Sequence, residues 1–225
     1  MTPVAPPDVP PALSVVRDRL ARAAALAGRP ADAVKLIAVS KTQTPEAIEP
    51  LLAAGHRLFG ENRVAEAAAK WPALRENYPD AELHLIGQLQ SNKADEAVAL
   101  ADAIHTVDRQ SLVAALARAM DKADRRPACF IQVNIGDEPQ KGGCDVTALP
   151  DVLREARTAD LPIVGLMCLP PAHVEAAPYF ALLAKLARDN GLAGLSMGMS
   201  DDFETAVMLG ATHVRLGSAL FGERQ

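Results

Sequence analysis

The chain has 225 residues and a formal net charge of −5; 49% of its residues are hydrophobic and 4% aromatic. That length accommodates one large domain or two small ones, and the mild negative charge argues against a general nucleic-acid binder. No apolar run approaches the roughly 20 residues of a membrane-crossing helix, and no basic patch leads into an apolar segment as in a secretory signal.

Residues 1–11 include Pro3, Pro6, Pro7, Pro10 and Pro11 and read as a flexible, Pro-rich arm. Leu13, Val16, Leu20, Ala24 and Ala27 then recur at helical spacing, with Gly28 as a stop. From there the chain alternates. The patterning predicts strands at 34–40, 57–61, 82–87, 103–107, 128–134, 162–166, 194–196 and 212–216. Helices are expected at 45–54, 63–76, 91–100, 109–123, 146–158, 175–190 and 203–209. Pro45 suits a first helical turn and Gly55 a helix end. A glycine-rich loop at 136–143 follows the fifth strand. Such alternation favours a parallel sheet and predicts an α/β fold: a single (β/α)8 TIM barrel over residues 12–225 with an extra N-terminal helix. An open doubly wound sheet is the runner-up, but the Gly-x-Gly-x-x-Gly signature is absent after the first strand. No Pro-, Gly- or Ser-rich linker divides the chain.

The first strand, Leu36-Ile37-Ala38-Val39-Ser40, runs directly into Lys41. A lysine there stands at the rim where α/β folds place their chemistry. Burial disfavours its ammonium form, and a neutral amine can attack an aldehyde to form an imine; the alternative is a rim lysine paired with a carboxylate. At the other end of the chain, Met197-Gly198-Met199-Ser200-Asp201 and Gly217-Ser218-Ala219 follow the seventh and eighth strands. Barrels often bind phosphate between those loops. Ser200 precedes a helix, which it can cap, or it can offer its hydroxyl to phosphate. Arg215, inside the eighth strand, is a surface pair if it points outward and a buried charge needing partners if it points inward. A reactive lysine and a phosphate cradle at one mouth suit pyridoxal phosphate, or a Schiff-base aldolase acting on a sugar phosphate.

Cys129, Cys144 and Cys168 are odd in number, lack metal-ligand spacing and fit a reducing cytoplasm. His84, His105 and His213 fall on strands without metal-like spacing and read as core or rim histidines. Asp201 and Asp202 read as dipole partners of a helix start. Trp71 and Met208 read as packing residues.

Ala38-Val39-Ser40-Lys41-Thr42, Phe59-Gly60-Glu61-Asn62, His84-x-Ile86-Gly87-x-Leu89-Gln90-x-Asn92-Lys93, the run Leu195 to Asp202, and Val214-Arg215-x-Gly217-x-Ala219-x-Phe221-Gly222 occur in this order. Together they resemble the pyridoxal phosphate homeostasis proteins (the YggS/PROSC family), along nearly the whole chain. The resemblance implies a barrel similar to the N-terminal domain of alanine racemases, with one pyridoxal 5'-phosphate held by Lys41 as an imine. It also implies that Asn62 lies beside the cofactor ring, that Arg215 faces the pyridine nitrogen, and that Ser200, Gly217 and Ser218 hold the phosphate. Arg63, Leu83 and Gln88 depart from the common family pattern, as do neighbours within the 136–143 loop.

The expected function is therefore a cytoplasmic, monomeric, non-catalytic carrier in vitamin B6 homeostasis, with apo forms of pyridoxal phosphate enzymes as possible recipients and no metal, nucleic acid or membrane partner. An amino-acid racemase is the enzymatic rival. Racemisation needs an acid/base group on each face of the substrate carbon. Lys41 supplies one, and Tyr78 and Tyr179, the only tyrosines, fall on or near outer helices.

Overall fold

The short apolar runs become strands, and the amphipathic segments between them become helices. In chain order the elements are α1 (Pro11–Leu26), β1 (Lys35–Val39), α2 (Pro45–Ala53), β2 (Leu58–Glu61), α3 (Val64–Asn77), β3 (Glu82–Leu85), α4 (Ala94–Leu100), β4 (Ala103–Val107) and α5 (Gln110–Ala123). They continue with β5 (Ala128–Val133), α6 (Leu149–Thr158), β6 (Ile163–Cys168), α7 (Ala177–Asp189), β7 (Gly194–Ser196), α8 (Phe203–Met208), β8 (His213–Leu216) and α9 (Ser218–Phe221). This computed structural model describes residues 9–222. The strands are parallel and pair in sequence order, and β1 closes the ring on β8 from Lys35↔His213 to Ala38↔Leu216. Closure excludes the open sheet.

The arm expected at 1–11 lies, over residues 1–8, outside the described residues. Pro10 caps α1 and Pro11 is its first residue, so the helix starts within that stretch. Proline is tolerated there because the first amide of a helix has no intrahelical partner. The helix α9 was not expected. It has four residues, too few to cover the β8 side of the barrel. The extra helix α1 packs against α8 and α9 instead. Leu13, Val16, Leu20 and Ala24 are buried there. Arg19 grips Glu204 through two hydrogen bonds of 3.0 Å, and its guanidinium lies 4.6 Å from the centroid of the Phe203 ring.

The layer between sheet and helices is apolar and rich in alanine, leucine and valine. The barrel interior is different. His105 of β4 and His213 of β8 have ring centroids 5.9 Å apart. These strands are not neighbours, so the contact can form only across the interior. His84 of β3 and Phe130 of β5 join them, with centroids 4.9 Å and 4.2 Å from that of His105. The three cysteines are buried, and burial pushes each thiol up to about 12. Trp71 is buried as expected, but Met208, expected to pack, is 49% exposed.

Burial, with the nearby His213 and Lys35 charges, pushes His84 down to about 3. His213 falls to about 4, chiefly by burial and then by the charges of Lys35 and Arg215. His105, beside His84, His213 and Arg215, is lowered as well, chiefly by burial. The unfolded chain titrates these imidazoles near 6.5. It therefore binds more protons than the fold below that pH, and stability must fall as pH falls. The expected outcome of urea titration is an unfolding free energy, and with it a midpoint, that holds above about pH 6.5 and drops between about pH 6.5 and 5, the free energy by up to about 1.4 kcal/mol per pH unit for each histidine. A midpoint level from pH 7 to 5 would contradict neutral histidines in the core.

Candidate functional site

At the C-terminal mouth of the barrel lies a pocket of ≈ 350 Å³. Its lining includes all six candidate residues: Lys41, Asn62, Ser200, Arg215, Gly217 and Ser218. Thr42, Gln43, Ile86, Met199 and Asp201 are in the same lining and were not anticipated as such. A larger cavity of ≈ 630 Å³ opens at the opposite end, beside Lys35, Leu58 and Glu82 at the strand starts. Barrel chemistry belongs to the strand C-terminal ends, so the smaller pocket is the candidate.

Asn62 follows β2 directly. A Cβ at Gly87 would sit 2.2 Å from the Asn62 carbonyl oxygen, so glycine lets the loop after β3 press against Asn62.

Ser200 does not cap α8, which starts at Phe203 with Asp202 as its N-cap and no side-chain cap bond. The Ser200 oxygen instead accepts from the Ser218 hydroxyl at 3.0 Å and from the Ala219 amide at 3.4 Å. The loops after β7 and β8 thus meet, hydroxyl to hydroxyl, at the pocket. The loop after β7 is held separately, by Asp202 accepting the Met199 amide at 2.6 Å.

Arg215 points inward and is 4% exposed. Burial pulls its guanidinium below the ordinary value, but arginine stays cationic in proteins. It donates to the Ser196 hydroxyl at 2.6 Å and to the Cys168 carbonyl at 2.9 Å. The Ser196 oxygen also lies 2.8 Å from His105 Nδ1, and His105 Nε2 lies 2.9 Å from His84 Nδ1. Arginine can only donate, so the Ser196 oxygen accepts from it. Ser196, His105 and His84 then continue as one hydrogen-bonded chain from the cation at the pocket into the barrel interior. Both His105 nitrogens are engaged in it, so the histidines do not converge on a metal. Among the described residues no group of three His, Cys, Asp or Glu could hold one.

Lys41 lies in a turn just past β1, where the Gln43 amide donates to the Ser40 carbonyl at 3.1 Å. Thr42, the third residue of that turn, has φ +63°. Glycine is the usual occupant of such a position, and a β-branched residue there carries strain of about 1–3 kcal/mol. The support comes from α3. Lys70 Nζ donates to the carbonyls of Ser40 and Gln43 at 2.8 and 3.1 Å. It also pairs with Glu61 at 2.8 Å and Glu66 at 2.9 Å. Glu66 accepts the Thr42 amide. Burial pushes the Glu66 carboxyl up, but Lys70 and that amide outweigh it and hold it below its ordinary value. Glu61, fully buried, accepts from the Ser40 hydroxyl at 2.6 Å and from Trp71 Nε1 at 3.2 Å. Sequence reasoning missed this cluster. Its one signal was an acidic residue closing an otherwise apolar strand, Leu58-Phe59-Gly60-Glu61, which demands a buried partner.

Neither tyrosine, nor Lys93, is among the pocket-lining residues; Lys93 pairs with Glu96 at 2.7 Å on the surface. Arg63, Leu83 and Gln88 are also outside the lining.

Residues 12–225 match the family model of the alanine racemase N-terminal domain. The chain is 38% identical to the pyridoxal phosphate homeostasis protein of Aquifex aeolicus, over 95% of this chain and 97% of that one. It is 37% identical to the protein of that name from Escherichia coli K12, over 96% and 97%. Among solved structures, PipY of Synechococcus elongatus PCC7942 with PLP bound superposes with a TM-score of 0.79 at 39% identity, over 92% of this chain and all of that one.

Replacing Ser196 by alanine would remove the acceptor of one Arg215 amino group, the Cys168 carbonyl remaining for the other, and leave His105 Nδ1 without this partner in the core. Ser196→Ala is expected to lower unfolding stability by about 1–3 kcal/mol. Denaturant titration checks this; an unchanged midpoint would show that the hydroxyl links nothing.

Proposed function

The chain belongs to the alanine racemase N-terminal domain family and, within it, to the pyridoxal phosphate homeostasis proteins; from that premise we propose how its mouth pocket holds the cofactor and what it is used for. The observation that carries the reading is that Lys41, the Ser200–Ser218 hydroxyl pair and the buried Arg215 line one pocket. Pyridoxal 5'-phosphate brings an aldehyde that condenses with a lysine amine, the aldehyde oxygen leaving as water. Lys41 is the amine for that bond. Ser200, the Ser218 hydroxyl and the backbone at Gly217 and Ser218 take the phosphate. Arg215 offers a guanidinium N–H to the pyridine nitrogen and cannot give up a proton to it, so the nitrogen stays unprotonated and the ring a poor electron sink. Asn62 stands beside the ring.

The protein is then a cytoplasmic carrier in vitamin B6 homeostasis. It acts as a monomer and releases cofactor to apo-enzymes. No helix among the described residues is long and apolar enough to cross a membrane. The non-catalytic reading rests on the pocket's acid–base inventory. Apart from Lys41 and Arg215, the only ionisable side chain in the lining, among the described residues, is Asp201, exposed and next to Ser200. No tyrosine or histidine faces Lys41 there. Turnover of L-alanine to D-alanine is therefore expected below about 1 per second, the low end of ordinary enzymes. Faster turnover that vanishes in Lys41→Ala would make the protein a racemase.

Two variants test the binding mode. Lys41→Ala should abolish the visible absorbance band of lysine-bound cofactor, and an undiminished band would remove Lys41 from its role. Ser200→Ala should weaken cofactor affinity by about one to two decades, since a hydrogen bond to a charged group contributes about 1.5–3 kcal/mol. The apo melting temperature should change little, because Ser200 does not cap α8 and its contact with Ser218 is exposed at the mouth. A fall in melting temperature with affinity unchanged would reverse that assignment.

A further inference from the structure

We propose that Lys70 and Glu66 of α3 are positioning residues for Lys41: by holding the turn at 40–43 they set how much bound cofactor is linked to the lysine rather than held by its phosphate alone. The inference rests on the cofactor reading above, and deepens it.

The argument starts from what the strand leaves undone. Regular pairing of β1 with β2 ends at Val39↔Gly60, and the last bond is from the Ser40 amide to the Gly60 carbonyl at 3.0 Å. Lys41 lies past that point, so the ladder does not aim its side chain. The turn that does aim it contains Thr42 in the left-handed region, a conformation threonine does not keep unaided. Each peptide group flanking Lys41 is instead fixed from α3. The Ser40 carbonyl, before it, takes Lys70 Nζ at 2.8 Å. The Thr42 amide, after it, is taken by the Glu66 carboxylate. Lys70 also reaches the Gln43 carbonyl, which ends the turn. Lys70 and Glu66 are one helical turn apart and paired at 2.9 Å, so the two clamps form one unit. Lys70 is 7% exposed, and Glu61 anchors it from β2. Neither Lys70 nor Glu66 is among the residues lining the pocket. Their hydrogen bonds reach the two peptide groups that flank Lys41. Covalent linkage is sensitive to such placement, because an error of about 1 Å in a reacting group costs about 10²-fold. The phosphate cradle belongs to the loops after β7 and β8 and should not feel the change.

The test compares pyridoxal phosphate with pyridoxamine phosphate, which carries an amine in place of the aldehyde and cannot link to a lysine. Glu66 is 28% exposed, so Glu66→Ala should fold. It is expected to bind pyridoxamine phosphate within about twofold of the wild type, while the lysine-linked fraction of pyridoxal phosphate, read from its absorbance, falls at least about tenfold. Glu66→Gln keeps an oxygen for the Thr42 amide and should retain most of the linkage. Adding Thr42→Gly to Glu66→Ala should restore part of it, because glycine adopts the turn unaided. Lys70→Met, paired with Glu61→Gln so that no buried charge is stranded, should lose linkage as Glu66→Ala does. An unchanged linked fraction in Glu66→Ala overturns the proposal. So does a parallel loss of both affinities together with melting temperature, which is the signature of a structural role alone. A wild-type protein that binds neither compound overturns the cofactor reading itself.

Discussion

One ammonium group, Lys70 Nζ, has four oxygens within 3.1 Å: two turn carbonyls and two carboxylates. It ties the end of β1, the end of β2 and the first turns of α3 into a single knot. Pairing of the buried charge explains why the knot persists. Glu61 is fully buried, and an unpaired carboxylate there would be strongly destabilising. Lys70 balances it and satisfies backbone oxygens that the sheet leaves unpaired. Trp71, the next residue, covers the pair and donates to Glu61. The turn bearing Lys41 therefore inherits its geometry from groups on the far side of the sheet, not from the mouth it serves.

Arg215 plays the complementary part inside the barrel. Its hydrogen bonds go to the Cys168 carbonyl and to a hydroxyl backed by two histidines, and the nearest carboxylate influence, Asp202, acts on it without a hydrogen bond. A full carboxylate partner would neutralise the guanidinium. Neutral acceptors leave its positive charge available to the pocket. The interior polarity that this requires accounts for the histidines on β3, β4 and β8, which would be costly in an ordinary aliphatic barrel core.

Much of this was legible in the chain. Strand count, barrel closure and the first helix follow from alternation, because a parallel sheet with helical crossovers imposes a regular spacing of apolar runs. Lys41, Ser200 and Gly217 were legible because they abut strand ends, and a barrel brings all strand ends to one mouth. Two things were hidden. Lys70 stands four residues after Glu66, the spacing of an ordinary surface ion pair, and only packing of α3 against β1 and β2 buries it. Likewise Ser196, His105 and His84 stand on separate strands, and the stagger of the barrel decides that they meet at one level. Ser200 was ambiguous between capping and binding because both place serine just before a helix; the fold turns its hydroxyl away from α8 and toward Ser218 and Ala219.

The central claim is a covalent one, so the direct measurement is chemical. The protein is loaded with pyridoxal phosphate, reduced with borohydride, digested and mapped by mass spectrometry. The account predicts one stoichiometric pyridoxyl-phosphate adduct, on the peptide that contains Lys41. An adduct confined to another lysine, such as Lys93 or Lys141, or no adduct on a loaded protein, would contradict it.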